Sequence, residues 1–158
     1  DIDPKNYITF EPSNEEFNVI KINAPQSFNN NIGLGNNNLI KKFYLSTEDG
    51  DSSFVKPSAY DEIVEIQTVT LSSFVKKNKI EKIKLLKLEA EGFEPEILDG
   101  ALDILGFIDY IAVDGGNERG VTEDETFSYL TNALLRNNFE ILEVNWSQSR
   151  ALFKRILP

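Results

Sequence analysis

The sequence predicts an α/β fold with a largely parallel sheet that helices cover on both faces. Short segments rich in β-branched and aromatic residues alternate along the chain with segments whose apolar residues recur at helical spacing. Such alternation is typical of parallel strands joined by helices. The 158 residues, 41% of them hydrophobic, can bury one sizeable core, so we expect a single domain over residues 1–158.

The first half of the chain predicts a strand–helix unit followed by further strands. The segment YITFE is rich in aromatic and β-branched residues and stops at Pro12, which predicts a strand over residues 7–11. Ser13, with Glu16 three positions on, has the pattern of a reciprocal capping box and begins a helix. Further strands are predicted around Ile32 and Leu34, at 40–45 and at 63–71.

The second half repeats the strand–helix pattern. Pro95 fits the first turn of a helix over residues 94–105, whose apolar residues fall on one face. Thr122 is the predicted cap of a helix over residues 122–138. A short helical piece at 72–78 and strands at 83–89, 109–114, 139–145 and 150–156 complete the prediction.

The composition excludes several classes of function. The chain has no Cys and no His, which rules out disulfides, thiolate zinc sites and histidine acid–base chemistry. Its 26 acidic residues outnumber 16 scattered Lys and Arg, so nucleic acid is not an expected partner. No apolar run is long enough for a bilayer and no signal peptide opens the chain, so we expect no membrane partner and a cytoplasmic location. Any chemistry must rest on carboxylates, Lys, Tyr, Ser or Asn.

Acidic residues stand where the strands are predicted to end. Glu11 closes the first strand, Glu89 and Glu91 close the strand at 83–89, and Asp114 precedes the segment GGNERG. In open α/β sheets, ligands bind outside the carboxyl ends of the strands. The sequence therefore predicts the functional site at this edge of the sheet.

Lys87, Glu89 and Glu91 are predicted to share one strand face, because side chains alternate along a strand. Burying unpaired charges is costly, so this row must be paired internally, reach solvent or face a ligand. A structural ion pair with Glu89 and a functional role explain Lys87 equally well. For Glu91, which adjoins Gly92 at the strand exit, we favour a function.

The other acids also have two interpretations each. Glu11 can hold a ribose, because a carboxylate accepts hydrogen bonds from both hydroxyls, or it can belong to a surface turn before Pro12. We favour the ribose. Asp114 and Glu118 can bind an acceptor, since the glycines around them permit close approach, or they can lie in a solvated loop.

Two further motifs are weak. The segment IGLGN at residues 32–36 contains a GxG, but no helical pattern follows it, so we interpret it as a strand and turn. Asp49, Gly50 and Asp51 form a DxD of the kind that metal-dependent glycosyltransferases carry. In an acidic polar loop, a solvated turn is the better interpretation.

The segment KLEAEGFEPEILDGA, residues 87–101, resembles the signature of the FkbM family of S-adenosylmethionine-dependent methyltransferases, which runs roughly K-I-D-V-E-G-x-E-x-E-V-L-x-G-A. The chain departs from it at Leu88, Glu89 and Ala90, of which Glu89 keeps the charge on a longer side chain. The resemblance extends to FEP at residues 10–12. The matching positions of the signature are Lys87, Glu91, Gly92, Glu94, Glu96, Leu98, Gly100 and Ala101.

The resemblance implies a Rossmann-like methyltransferase fold with a mostly parallel sheet and a C-terminal antiparallel hairpin. The family's first strand and its glycine loop, D-x-G-A-N-x-G, should precede FEP, but the chain begins at Asp1 just before that segment. We therefore expect an N-terminally incomplete domain, a piece of a longer protein, with an open gap beside its central strands. On its own, such a piece should bind the cofactor poorly.

The resemblance also implies transfer of a methyl group from S-adenosylmethionine to a hydroxyl of a small-molecule or carbohydrate acceptor. Holding the acceptor in line with the methyl group supplies much of the rate, and a carboxylate takes the proton. The implied roles are Glu91 as the base, Glu89 and Lys87 as groups that shape it, Glu11 at the ribose, Asn36 near the adenine, and Asp114 and Glu118 at the acceptor.

Two alternatives stay open. The chain can be a degenerate methyltransferase-like module that binds or assembles without catalysis. It can also be a metal-dependent transferase in which Glu89, Glu91 and Asp114 hold a hard cation through oxygen.

Overall fold

The structure is a computed structural model that describes residues 3–46 and 51–156. None of the helices in these ranges is long and apolar enough to cross a membrane. The strands are β1 (Ile8–Phe10), β2 (Phe28–Asn30), β3 (Gly33–Leu34), β4 (Ile40–Leu45), β5 (Glu62–Val69), β6 (Ile83–Leu88), β7 (Ile108–Asp114), β8 (Asn117–Arg119), β9 (Asp124–Glu125), β10 (Phe139–Asn145) and β11 (Arg150–Arg155). The helices are α1 (Asn14–Asn23), α2 (Leu71–Lys77), α3 (Glu94–Asp99) and α4 (Phe127–Arg136), with 3-10 turns at Pro4–Asn6, Leu102–Phe107 and Trp146–Gln148.

A four-stranded sheet with the order β10-β11-β7-β6 forms the centre of the described structure. β6 and β7 are parallel, as expected of strands separated by a helix, and Leu88 pairs with Val113 near their carboxyl ends. β11 is antiparallel to both β7 and β10. The predicted C-terminal antiparallel hairpin is therefore confirmed, and β6 lies at the edge of this sheet.

The sheets are mixed, so the prediction of a mostly parallel sheet is not confirmed. β1 and β2 form a separate parallel pair, and β3 is parallel to β5. β4 and β5 instead run antiparallel, with Ile40 opposite Gln67 and Leu45 opposite Glu62. The described part of the connection between β4 and β5 contains no helix, and antiparallel neighbours do not need the helical crossover that parallel strands require.

One face of the four-stranded sheet carries the hydrophobic core. Leu88, Ile111 and Phe153 alternate with more exposed residues along their strands and are at most 2% exposed. They pack in one cluster with Leu98 of α3 and Leu130 of α4, which are both fully buried. The helices therefore cover this face, and polar side chains such as those of Lys87 and Arg150 lie on the opposite face.

The helix predicted over residues 122–138 begins later, at Phe127. The preceding residues form the small antiparallel hairpin β8–β9 instead. Thr122 does not cap the helix, because its hydroxyl donates to the carboxylate of Asp124 (2.7 Å). The carbonyl of Gly115 accepts the N–H of Phe127 (3.1 Å) and fixes the start of α4. This contact with the end of β7 overrides the capping pattern in the local sequence.

The helix predicted over residues 94–105 is divided, because α3 ends at Asp99 and a 3-10 turn follows Ala101. Between them, Gly100 packs against the turn after β3, where a methyl group at position 100 would lie 2.0 Å from the carbonyl oxygen of Gly35. The Gly100 carbonyl also accepts the N–H of Ser72 (3.0 Å). The helix is therefore interrupted at Gly100, where the backbone contacts the turn after β3 and the start of α2.

Candidate active site

The candidate site begins at the tight turn that follows β6. Glu91 (φ +48°) and Gly92 (φ +88°) both have left-handed backbone conformations, which glycine adopts at little cost. A methyl group at position 92 would lie 2.5 Å from the Cα atom of Arg119, so the hairpin β8–β9 packs directly on this turn. Because β6 ends before the turn, Glu91 does not continue the row of Lys87 and Glu89 that strand alternation predicted.

A fully buried carboxyl group, that of Glu94 at the start of α3, holds the turn in place. Its Oε1 atom accepts the backbone N–H groups of Ala90 (2.7 Å) and Gly92 (3.2 Å). Its Oε2 atom accepts the hydroxyl of Thr126 (2.9 Å), the residue that precedes α4. Glu94 thereby joins the strand exit, α3 and α4 through one buried hydrogen-bond network.

Arg119 of β8 fastens the hairpin to the same turn. Its guanidinium donates to the carbonyl oxygen of Gly92 (2.5 Å) and forms a two-pronged ion pair with Glu96 of α3 (2.6 and 2.9 Å). The side chains of Arg119 and Glu96 are 32% and 20% exposed, so this pair is largely shielded from water. The hydrogen bonds to Glu96 raise the pKa of Arg119 above its ordinary value.

The hairpin places Glu118 near enough to Glu91 for the two carboxyl groups to influence each other's pKa. Burial, followed by the negative charges of Glu118, Asp51 and Glu94, raises the pKa of Glu91 to about 8. Burial also raises the pKa of Glu118, and the charge of Glu94 adds to the effect. Glu91 is therefore protonated more readily near neutral pH than an ordinary glutamate, and its carboxyl group can exchange a proton with a ligand there.

Lys87 and Glu89 form an ion pair with each other on the open face of the sheet, where their side chains are 67% and 43% exposed. Asp114 at the end of β7 accepts a hydrogen bond from the guanidinium of Arg150 (2.5 Å). These residues line an open depression of about 400 Å³ that continues over β11 to Asn145. Two of the strand ends predicted to carry functional acids therefore present ion pairs to this depression.

Glu11 follows β1, which belongs to the separate β1–β2 pair and not to the four-stranded sheet whose β6 leads to Glu91. Its Oε1 atom accepts the backbone N–H of Ser13 (2.9 Å). A reciprocal capping box would require Glu16 to accept this N–H group. The Glu16 carboxyl group contacts the Ser13 hydroxyl instead, so the capping box is not formed as predicted. Burial raises the pKa of Glu11.

Asn36 is exposed in the turn after β3, next to the point where Gly35 and Gly100 meet. The structure thus places Asn36 and Glu11 on separate elements from the Glu91 turn. Of the DxD motif, Asp49 and Gly50 lie outside the described residues. Asp51 is exposed, and its charge contributes to the raised pKa of Glu91.

The acids of the metal alternative do not converge in the described part of the chain. Glu89 pairs with Lys87, Asp114 pairs with Arg150, and Glu91 lies in the turn beyond the end of β6. Within residues 3–46 and 51–156, no group of three or more His, Cys, Asp and Glu side chains is arranged to hold a metal ion. This donor arrangement gives the metal alternative no support.

Sequence reasoning did not assign a role to Glu94, Glu96 or Arg119. Acidic residues in the first turn of a helix favour the free N–H groups of that helix, but Glu94 accepts those of Ala90 and Gly92 before α3, and Glu96 binds Arg119. Arg119 carried no local signal, because its partner Glu96 is 23 positions away in the chain. The hydroxyl of Ser53 likewise donates to the Glu91 carbonyl (2.7 Å) from 38 positions away. Only the folded chain brings these groups together.

The mixed α/β fold and the acidic strand exit fit a methyltransferase domain, and comparison with known families assigns the same class. The family model described as Methyltransferase FkbM domain matches residues 3–145. The chain therefore belongs to the FkbM methyltransferase family. No curated protein and no solved structure matches the chain significantly.

Proposed function

We propose that this domain serves an S-adenosylmethionine-dependent methyltransferase that methylates a hydroxyl group of a small-molecule or sugar-like acceptor. Family membership supports the reaction class. The observation that carries the proposal further is the position of Glu91, a glutamate with a raised pKa, in the left-handed turn at the exit of β6, where ligands of α/β sheets bind.

Glu91 is the proposed general base. A base works best when its pKa lies near the working pH, because it is then ionised often enough and still binds a proton strongly. The raised pKa of Glu91, about 8, meets this condition far better than an ordinary glutamate would. Glu118, whose charge acts on Glu91, would bind the acceptor hydroxyl together with Asp114, while the Lys87–Glu89 ion pair would shape the neighbouring surface.

The chemistry of two side chains fits the proposed cofactor. S-adenosylmethionine, when bound, supplies an activated methyl group on a sulfonium. Glu11 is the proposed ribose ligand, because Ser13 occupies its Oε1 atom and a carboxylate has a second oxygen that can accept from a hydroxyl. Asn36 is the proposed neighbour of the adenine, and its exposed amide can both donate and accept hydrogen bonds.

The experiment separates cofactor binding from turnover in the longest product of the gene that contains this chain. Calorimetric titration of S-adenosylhomocysteine measures binding, and its release from S-adenosylmethionine in a mixture of monosaccharides and small alcohols measures turnover. Glu91→Gln should leave binding within about twofold and lower turnover about 100-fold, which is the usual contribution of a general base. Glu140→Gln, which neutralises an exposed acid on β10, is the matched control and should change neither.

A negative result in the turnover measurement and one in the binding measurement have different meanings. Unchanged turnover in Glu91→Gln would remove Glu91 as the base. Absence of binding by the wild-type protein would favour the second candidate function, a non-catalytic methyltransferase-like module. One observation favours that candidate: Glu89 and Asp114 are already engaged in ion pairs.

A further inference from the structure

The turn between β10 and β11 carries Trp146, the only tryptophan in the chain, and this residue is 71% exposed. Its ring meets that of Phe127, the first residue of α4, nearly at right angles, with the ring centroids 5.8 Å apart. At this exposure, at least one broad face of the indole is open to water. A single exposed apolar side chain is ordinary on a protein surface, so its support and its position decide what it means.

Hydrogen bonds among the neighbouring side chains hold this turn in one shape. The Asn145 amide donates to the side-chain oxygen of Gln148 (2.9 Å), and its own oxygen accepts the hydroxyl of Ser147 (2.8 Å). The polar residues on both sides of Trp146 are therefore bonded to one another. A ring presented on a fixed turn loses less conformational entropy when it binds a ligand than a ring on a mobile loop does.

The same turn is fastened to the end of β7. The Ser149 carbonyl accepts the N–H of Gly115 (3.0 Å), and the Arg150 guanidinium donates to the carboxylate of Asp114 (2.5 Å). Strand pairing sets Asn145 opposite Arg150, and Arg150 opposite Asp114. The turn therefore lies at the carboxyl end of β7, on the sheet edge where ligands of α/β sheets bind.

Trp146 and the turn that carries Glu91 are attached to the same short segment at the start of α4. Phe127, which contacts the Trp146 ring, directly follows Thr126. The Thr126 hydroxyl donates to Glu94 (2.9 Å), the residue whose carboxyl group holds the Glu91 turn. The structure therefore places the open indole face and the candidate base on one framework.

We propose that Trp146 is the platform on which a pyranose ring of the methyl acceptor stacks. The C–H groups on one face of a pyranose are apolar and slightly positive, which matches the negative face of an aromatic ring. The hydroxyl groups of the sugar would meet polar side chains beside the platform, such as Asn145 and Arg150, which line the neighbouring depression. Sugar binding stands on this surface, whereas its part in methyl transfer rests on the proposed function.

The surroundings of Trp146 favour a sugar over an aromatic acceptor. Flat apolar ligands bind in concave sites that remove most of their surface from water, whereas Trp146 stands on an exposed turn. Polar groups border it, and an apolar ligand would leave them desolvated without partners, which costs affinity. A ring that is apolar on one face and carries hydroxyl groups at its rim satisfies both conditions.

The experiment is saturation-transfer NMR on the longest product of the gene that contains this chain, without cofactor. The probes are the methyl pyranosides of glucose, galactose, mannose and xylose, with mannitol as the acyclic polyol for comparison. The wild-type protein should transfer saturation to the C–H protons on one face of at least one of these rings, and not to mannitol.

Three variants assign the signal to Trp146. Trp146→Leu keeps an apolar side chain without a flat ring and should weaken pyranoside binding about tenfold, the effect expected when one stacking contact is lost. Trp146→Tyr keeps a flat ring and should retain most of the binding. Tyr129→Leu, which removes a 47% exposed aromatic ring from α4, is the matched control and should change nothing.

Absence of saturation transfer to every pyranoside would overturn the proposal, as would equal transfer in the wild type and a folded Trp146→Leu protein. Binding of 4-methylcatechol that depends on Trp146 more strongly than pyranoside binding does would overturn it as well. If Trp146→Leu does not fold, the wild-type pattern decides, and saturation spread evenly over both ring faces would exclude a platform.

The outcome is separate from that of the S-adenosylhomocysteine titration. Pyranoside binding through Trp146 without cofactor binding would keep the platform and remove methyl transfer. Cofactor binding without any pyranoside signal would keep methyl transfer and remove the platform.

Discussion

At the scale of single residues, Glu94 is the acid on which the site geometry depends most. Both of its oxygens are used by donors in three different segments, and the group is fully buried. A buried donor that loses its partner costs free energy because water cannot replace the lost hydrogen bond. Glu94 therefore belongs to the framework that shapes the strand exit, whereas Glu91 and Glu118 are the carboxyl groups available to a ligand.

Glu94→Ala should lower the free energy of unfolding by about 3 kcal/mol or more, since it leaves two N–H groups and one hydroxyl without an acceptor. Urea denaturation followed by circular dichroism measures this loss. Asp103→Ala is the matched control, because it removes an acid whose side chain is 74% exposed in an ion pair with Lys76. Its cost should stay below about 1 kcal/mol. Similar losses for the two variants would contradict the assigned role of Glu94.

At the scale of elements, the hairpin β8–β9 and the turn after β6 form one unit, which both backbone contacts and side-chain contacts stabilise. Gly92 permits this contact in two ways, through its positive φ angle and through its missing side chain. The hairpin can approach the strand exit only with glycine at this position. Any side chain there should push the Arg119 backbone away from the turn and destabilise the protein.

Two glycine variants test this unit. Gly92→Ala should lower the free energy of unfolding by about 2 kcal/mol or more, because alanine is strained at a positive φ angle and its methyl group would meet the Arg119 backbone at 2.5 Å. Gly106→Ala is the control, since a methyl group at that exposed position meets nothing within 4 Å. It should be neutral or stabilising by up to about 1 kcal/mol. Equal melting temperatures for the two variants would show that the hairpin adapts without cost.

The elements that the sequence predicted well are those whose local pattern agrees with their packing. β4, for example, was predicted with its observed limits, because β-forming residues fill it from Ile40 to Leu45. β2 was missed because Asn29 and Asn30 are poor strand formers. Its pairing with β1 is supported by contacts distant in sequence, such as the hydrogen bond from the Thr9 hydroxyl to Asn29 (2.8 Å).

The same difference between local patterns and contacts distant in sequence explains which residues of the site could be predicted. Glu91 could be selected from the sequence because charge is unexpected at the end of an apolar strand and beside a glycine. Glu118, whose charge acts on Glu91, was assigned to the acceptor, and the grip of Arg119 on Glu96 was not foreseen, because both interactions depend on how the hairpin folds back on the turn. The local sequence could indicate which acid matters but not what surrounds it.

At the scale of the whole molecule, the chain carries a formal net charge of −10, and folding brings several of its acids together. The pKa of Glu91 rises from 4.5 to about 8, and those of Glu11 and Glu118 also rise. Between about pH 4.5 and about pH 8, the folded state therefore binds more protons than the unfolded state. Linkage then requires stability to fall as the pH rises through this window. The lowered pKa of Asp109 acts at more acidic pH, where its contribution is lost on protonation.

The melting temperature of the wild-type chain should therefore decrease steadily from about pH 4.5 to about pH 8. Glu91→Gln removes the main titrating group and should flatten this decrease. The difference in slope is bounded by one proton, about 1.4 kcal/mol per pH unit, and should be smaller because Glu91 is only half-buried and water screens its neighbours. Glu140→Gln removes one exposed charge without touching the site, so its curve should run parallel to that of the wild type. If the Glu91→Gln curve runs parallel as well, Glu91 does not gain a proton on folding, and its proposed role as a base near neutral pH would lose its physical foundation.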